Sequence, residues 1–146
     1  MHLYCLSHYC NLQSHLCNPS VPLLVQLCLS LPSSKKGICY SVTPLLTLGI
    51  HSTYRGFYYL RHALKLCLQD EDYLLFVYKR LYVDIAKEFR VSRDSVEHCM
   101  RTTITYCWNN GNRDFLCGIA KYPLLSKPTN SEFIDILYHH LKFQDR

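Results

Sequence analysis

A run of polar side chains in the second half of the chain has the types and the spacing needed to contact DNA bases. These residues recur at three- and four-residue steps and therefore share one helix face: Arg93, Asp94, Glu97, His98, Arg101, Thr102 and Thr105. An arginine can pair with guanine through two hydrogen bonds, and a glutamate can accept one from the cytosine amino group. Solvated helix faces also contain Arg and Glu as a rule, so the pattern alone leaves both interpretations open.

Cysteine and histidine are the other residues that could do chemistry. The nine cysteines are an odd number, which argues against a secreted disulfide framework and favours a reducing, cytoplasmic compartment. Six such residues lie near the start: His2, Cys5, His8, Cys10, His15 and Cys17. They lack paired C-x-x-C spacing, so zinc binding is a weaker interpretation than an extension without metal. We expect no metal, no cofactor and no enzymatic activity, because no Cys–His catalytic signature is present and Cys99 points away from His98.

Two neighbouring patterns place the polar face on the second helix of a helix-turn-helix. Residues 81–89 predict a first helix with Leu81, Ile85 and Phe89 on one face, and residues 90–92 form a three-residue turn. Ser92 is a suitable N-cap for the second helix, and Gly111 is expected to end it in a left-handed turn. The second helix has an apolar stripe of Val96, Cys99, Met100, Thr103, Ile104, Cys107 and Trp108. In a helix-turn-helix this element lies in the major groove, so the layout favours DNA recognition.

The distribution of charge divides the chain in two. The net charge is +5, yet residues 1–40 contain only two charged side chains, Lys35 and Lys36, within a linker-like stretch at 32–37. We expect a poorly ordered Cys- and Leu-rich extension and linker over 1–40 and a DNA-binding domain over 41–146. The apolar run at 21–31 is shorter than the roughly 20 residues that span a bilayer, so no membrane partner is expected.

The second part has helical but no strand periodicity. Residues 44–49 predict a short helix ended by Gly49, and residues 55–68 predict a longer amphipathic one. The acids at 70–72 begin a further helix, whose apolar part is 73–78. The fold class is therefore all-α, with about six helices that include the helix-turn-helix.

Residues 43–143 resemble the C-terminal effector domain of the stage-zero sporulation response regulator of endospore-forming bacteria. The similarity includes Arg101 and five stretches, at 55–63, 81–89, 95–97, 108–112 and 127–134. The last of these, Lys-Pro-Thr-Asn-Ser-Glu-Phe-Ile, is specific, and so is its distance from the helix-turn-helix. The resemblance implies a six-helix domain that binds a short box of double-stranded DNA, often as tandem head-to-tail copies.

The resemblance also implies particular contacts. Base contacts are assigned to Glu97, His98 and Arg101, with His98 where the family usually has arginine and Thr102 where histidine is common. Histidine is shorter than arginine and mostly neutral at pH 7, which puts the preferred box in question. Contacts to the DNA backbone or flanking it are assigned to Ser92, Arg93, Ser95, Thr102, Thr105 and Lys127. For Lys127, in the loop before a capping box at Thr129 and Glu132, a lysine in water is an equal alternative.

The sequence says less about how DNA binding is regulated and about which other proteins the chain binds. Residues 1–40 contain no Asp or Glu, so they cannot form the phosphorylated receiver domain of the full-length family member. We expect an isolated effector domain that either binds DNA without phospho-control or is a truncated gene product. The alternative is an all-α module that docks on RNA polymerase or on a full-length regulator without contacting DNA.

Overall fold

A computed structural model describes residues 41–144, and all regular structure in this range is helical. The helices are α1 (Arg55–Gln69), α2 (Asp72–Leu75), α3 (Tyr82–Phe89), α4 (Arg93–Asn110), α5 (Arg113–Ile119) and α6 (Asn130–Gln144), with a π-helical segment at Val77–Leu81 and a helical stretch over 41–47. The predicted all-α class is confirmed. The predictions made for residues 1–40 lie outside the described residues.

Helix α1 forms because its apolar side chains recur at helical spacing. Phe57, Leu60, Leu64 and Cys67 are all buried, and the observed bounds match the predicted 55–68 within one residue. The preceding helical stretch ends at residue 47 and is followed by a turn at 48–49, in which the φ of +80° at Gly49 favours glycine. Both boundaries were therefore predictable from local residue types.

The crossing of α1 and α4 depends on a glycine. A Cβ at Gly56 would lie 2.1 Å from Thr103 Oγ1 and 2.8 Å from the Cys99 carbonyl oxygen. Only a residue without a side chain allows the two backbones to approach this closely. The crossing fixes α4 from the side opposite its polar face.

The segment after α1 differs from the prediction. A single helix was expected from residue 70 to 78, but α2 ends at Leu75 and a π-helical segment follows Phe76. The π segment buries Val77 and Leu81, whereas Leu75 and Phe76 stay exposed. The Asp70 carboxylate does accept the Asp72 N–H at 3.0 Å, so acids do stabilise the start of α2.

Gly111 ends α4 for a different reason from the one predicted. Its backbone is extended, with φ −89° and ψ −170°, so the expected left-handed turn is wrong. A Cβ at Gly111 would lie 2.3 Å from the Leu48 carbonyl oxygen and 2.6 Å from that of Cys107. Close packing against the 41–49 segment, not a positive φ, requires glycine here.

Helix α6 closes the core. Its buried side chains include Phe133, Ile134, Leu137 and Leu141, and it packs on both α1 and α4. Helix α4 is thus held from behind by α1 and near its start by α6.

Within residues 41–144 no helix has both the length and the apolar composition that crossing a bilayer requires.

Candidate nucleic-acid interface

The helix-turn-helix has the predicted local geometry. Helix α3 ends at Phe89, three residues follow, and α4 begins at Arg93. Arg90 makes the turn in the left-handed region with φ 54°, and the Val91 N–H donates to the Ala86 carbonyl at 3.0 Å. Ser92 Oγ accepts the Ser95 N–H at 3.2 Å, which confirms Ser92 as the N-cap of α4.

The three residues predicted to contact bases lie together on α4. His98 is exposed, and the Arg101 and Glu97 side chains are 56% and 28% exposed. The guanidinium of Arg101 donates to the Glu97 carboxylate one turn earlier. This ion pair orients the Arg101 side chain along the helix, and water screens it because Arg101 is largely exposed.

The flanking residues near the start of α4 are also accessible. Ser92, Arg93 and Ser95 are exposed, and the Arg93 guanidinium lies 4.1 Å from the centre of the Tyr78 ring. The two serine hydroxyls are 3.0 Å apart. Asp94, 3.9 Å from Arg93, adds a negative charge that partly offsets the arginine.

Further along α4, the structure brings Lys127 to the same face. Lys127 Nζ donates to Thr105 Oγ1 at 2.8 Å, and that hydroxyl donates to the Arg101 carbonyl at 2.8 Å. Thr105 therefore supports Lys127, while Thr102 is exposed and free to face a ligand. Residues separated by 22 positions in the sequence form one polar surface.

The capping box before α6 is confirmed. The Thr129 N–H donates to Glu132 Oε2 at 2.7 Å, and the Glu132 N–H donates to Thr129 Oγ1 at 3.3 Å. Pro128 is buried. These contacts give the loop that contains Lys127 a defined path into α6.

A groove of about 780 Å³ runs between α4 and this loop. Glu97, His98, Arg101 and Lys127, which the sequence analysis predicts to contact DNA, all line it. Other lining residues were not anticipated as part of the site: Tyr78, Tyr82, Asn130. Asn130 belongs to the Lys-Pro-Thr-Asn run, which was a signal in the sequence, but nothing local pointed to the two tyrosines.

Two side chains assigned to the core are only partly buried. Cys99 is half-buried, and Trp108 is half-buried with the Arg113 guanidinium 3.8 Å from its ring centre. Trp108 thus packs on the core with one face and is covered by arginine on the other.

The buried thiols are poor nucleophiles. Burial raises the pKa of Cys67 to about 12 and that of Cys107 to about 11, so both remain protonated at neutral pH. Among residues 41–144, no group of three or more His, Cys, Asp or Glu side chains is arranged to hold a metal ion.

A comparison with protein families identifies the family of this domain. Residues 42–141 match the family model described as "Sporulation initiation factor Spo0A C terminal". The match spans more than half of the chain, including the whole helix-turn-helix and α5, and ends within α6. It confirms the resemblance noted from the sequence, and with it the character of a DNA-binding, regulatory effector domain. The chain belongs to the family of the C-terminal domain of the sporulation initiation factor Spo0A.

Proposed function

We propose that the chain is a sequence-specific regulator of transcription that inserts α4 into the major groove of duplex DNA. The observation that supports this most is the surface on which Glu97, His98, Arg101 and Lys127 converge. It belongs to the second helix of a helix-turn-helix and to the loop beside it. The site of action is the cytoplasm, where bacterial DNA lies.

To recognise bases, Arg101 and Glu97 must exchange their hydrogen-bond partners. In the free protein Arg101 donates to Glu97. On DNA, Arg101 donates to the O6 and N7 of a guanine, while Glu97 accepts from a cytosine amino group. The bidentate arginine–guanine pair contributes about 1–3 kcal/mol of discrimination. Since the Glu97–Arg101 pair is solvent-screened, breaking it costs less than about 1 kcal/mol, and the exchange favours the correct base.

The phosphate backbone is contacted at both ends of this face. Arg93 lies at the first turn of α4, and Lys127 lies beside Thr105, three turns further on. The hydroxyls of Ser92, Ser95 and Thr102 add neutral donors along the same side. Such contacts position the helix in the groove, and the affinity they provide falls steeply with added salt.

The proposal includes two further partners. Tandem head-to-tail copies of the domain on adjacent DNA boxes are the expected assembly, and RNA polymerase is a second partner. An interaction module that does not contact DNA is the competing function. The observation that favours it is the exposure of Leu75 and Phe76, 75% and 48%, since neighbouring exposed apolar side chains are typical of contact sites.

Selection of bound sequences from a random duplex pool separates the two functions. We expect enrichment of a defined box, to which Arg101→Ala binds about 10- to 100-fold more weakly and Glu97→Ala also binds more weakly. Arg61→Ala removes an equal charge from the exposed face of α1 and should change the affinity little. No enriched sequence, together with equal binding by Arg101→Ala and Arg61→Ala, would exclude sequence-specific DNA binding.

A further inference from the structure

A buried amide joins both helices of the helix-turn-helix to the loop that contains Lys127. Asn130 is only 9% exposed. Its side-chain nitrogen donates to Tyr82 Oη at 3.1 Å and to the Glu97 backbone carbonyl at 3.1 Å. The two N–H groups of one amide can satisfy both acceptors. Tyr82 begins α3, Glu97 lies in α4 and Asn130 begins α6, so a single side chain connects three elements.

The backbone between Asn130 and Lys127 has little freedom. Pro128 is buried, and Thr129 is part of the capping box. At the other end, Lys127 Nζ reaches Thr105. Glu97 and Thr105 are eight residues apart, about 12 Å along an α-helix. The loop therefore lies along two turns of α4 and is fixed to it at both ends.

The same amide also supports the start of α4. The Tyr82 ring, whose hydroxyl accepts from Asn130, contacts the Tyr78 ring edge-on with centroids 6.2 Å apart. The Tyr78 ring in turn lies under the Arg93 guanidinium. The two cationic side chains that flank the base-contacting residues, Arg93 and Lys127, are thus both linked to Asn130 through contacts in the groove.

We propose that Asn130 is a positioning residue of the DNA interface, which holds Lys127 against α4 so that phosphate and base contacts form together. This inference rests on the proposed DNA binding. A lysine on a free loop loses rotamer and backbone freedom when it binds a phosphate, whereas one held beforehand loses less. Without the Asn130 amide, Tyr82 Oη and the Glu97 carbonyl lose a donor, and the loop remains attached to α4 only through the exposed Lys127–Thr105 contact.

The test is a double-mutant cycle with Asn130→Ala and Lys127→Ala, measured on the selected duplex over a series of salt concentrations. Each phosphate contact contributes about 0.9 to the slope of log affinity against log salt. We expect each single variant to bind more weakly at low salt and to lower that slope by nearly one contact. The double variant should bind no more weakly than the weaker single variant, because both changes remove the same contact.

A structural role alone would give a different result. Thr103→Ala is the matched control. Thr103 is buried and polar, as Asn130 is, but it lies in α4 and contacts α1. The substitution should lower stability and leave the salt slope unchanged. A wild-type slope for Asn130→Ala, or a double variant whose loss is the sum of the single losses, would overturn the proposal.

Two further measurements keep the outcomes distinct. If Asn130→Ala does not fold, Tyr82→Phe removes one acceptor and keeps the ring. We expect this variant to lose less affinity than Asn130→Ala, and the loss should shrink as salt is raised. A loss that does not depend on salt, or no loss, contradicts the positioning role of Asn130. Arg101→Ala in the same assay reports on the proposed function itself. Failure of that function appears as wild-type protein that does not bind, whereas failure of this inference leaves wild-type binding and the Arg101 effect intact.

Discussion

Replacing Gly56 with alanine places a methyl group where α1 crosses α4. The new Cβ would lie 2.1 Å from Thr103 Oγ1 and 2.8 Å from the Cys99 carbonyl oxygen. Threonine is β-branched and stiff, and the second atom belongs to the α4 backbone. The contact can therefore be relieved only by moving one helix relative to the other.

The magnitude follows from two opposing effects. Overpacking of a tight core contact costs about 1–3 kcal/mol, whereas alanine in place of glycine inside a helix gains up to about 1 kcal/mol. We expect a net loss of about 1–2 kcal/mol, which for a domain of this size lowers Tm by roughly 4–16 °C. Because the crossing supports α4 from behind, DNA affinity at fixed temperature should fall as well.

Gly118→Ala is the matched control. Gly118 lies in α5, and a Cβ there would meet nothing within 4 Å. This variant should gain about 0.4–1 kcal/mol, since alanine restricts the unfolded chain. Thermal and urea unfolding, followed by circular dichroism, compare the two. If Gly56→Ala proves as stable as Gly118→Ala, the close approach at the α1–α4 crossing is not real.

Three further outcomes are expected. His98→Arg should select a box with an additional guanine and bind it about 10- to 100-fold more tightly than the wild type does, as measured by fluorescence anisotropy; an unchanged box would show that residue 98 does not contact bases. Glu132→Ala removes the capping-box carboxylate that accepts the Thr129 N–H and should cost about 1 kcal/mol in urea unfolding, whereas Glu132→Gln should lose much less. Burial lowers the pKa of His140, so the folded state disfavours its protonation. The contribution of the neutral imidazole to folding stability is complete above the unfolded pKa of about 6.5. It is lost as the pH falls through the lower pKa of the folded state. The wild-type decline in Tm below pH 6.5 should therefore be shallower in His140→Gln, and equal declines would contradict this assignment.

The features that sequence analysis predicted well are local ones. The three-residue turn, the Ser92 cap and the Thr129–Glu132 capping box each depend on residues no more than four positions apart. Backbone geometry fixes such distances once a helix begins, so residue types at fixed spacing are sufficient. The bounds of α1 follow from the same kind of periodicity.

The features that were missed depend on contacts between distant residues. The extended backbone of Gly111 reflects its approach to Leu48, and the break after α2 reflects the burial of Val77 and Leu81 in place of Leu75. Periodicity shows that a face is apolar but does not show what packs against it. Conformation at these positions is therefore set by tertiary packing, which can override local preference.

The same distinction explains why the candidate interface is a property of the whole domain. Glu97 takes part twice: its carboxylate accepts from Arg101 on the face proposed to contact DNA, and its backbone carbonyl accepts from Asn130 at the start of α6. A carbonyl oxygen has two lone pairs, so the second contact does not require α4 to give up its own hydrogen bond. The residue that shares the contact face with Arg101 is thus also the one to which the Lys127 loop is attached. An isolated helix-turn-helix peptide would keep Arg101 and His98 but lose this attachment, and with it the fixed position of Lys127.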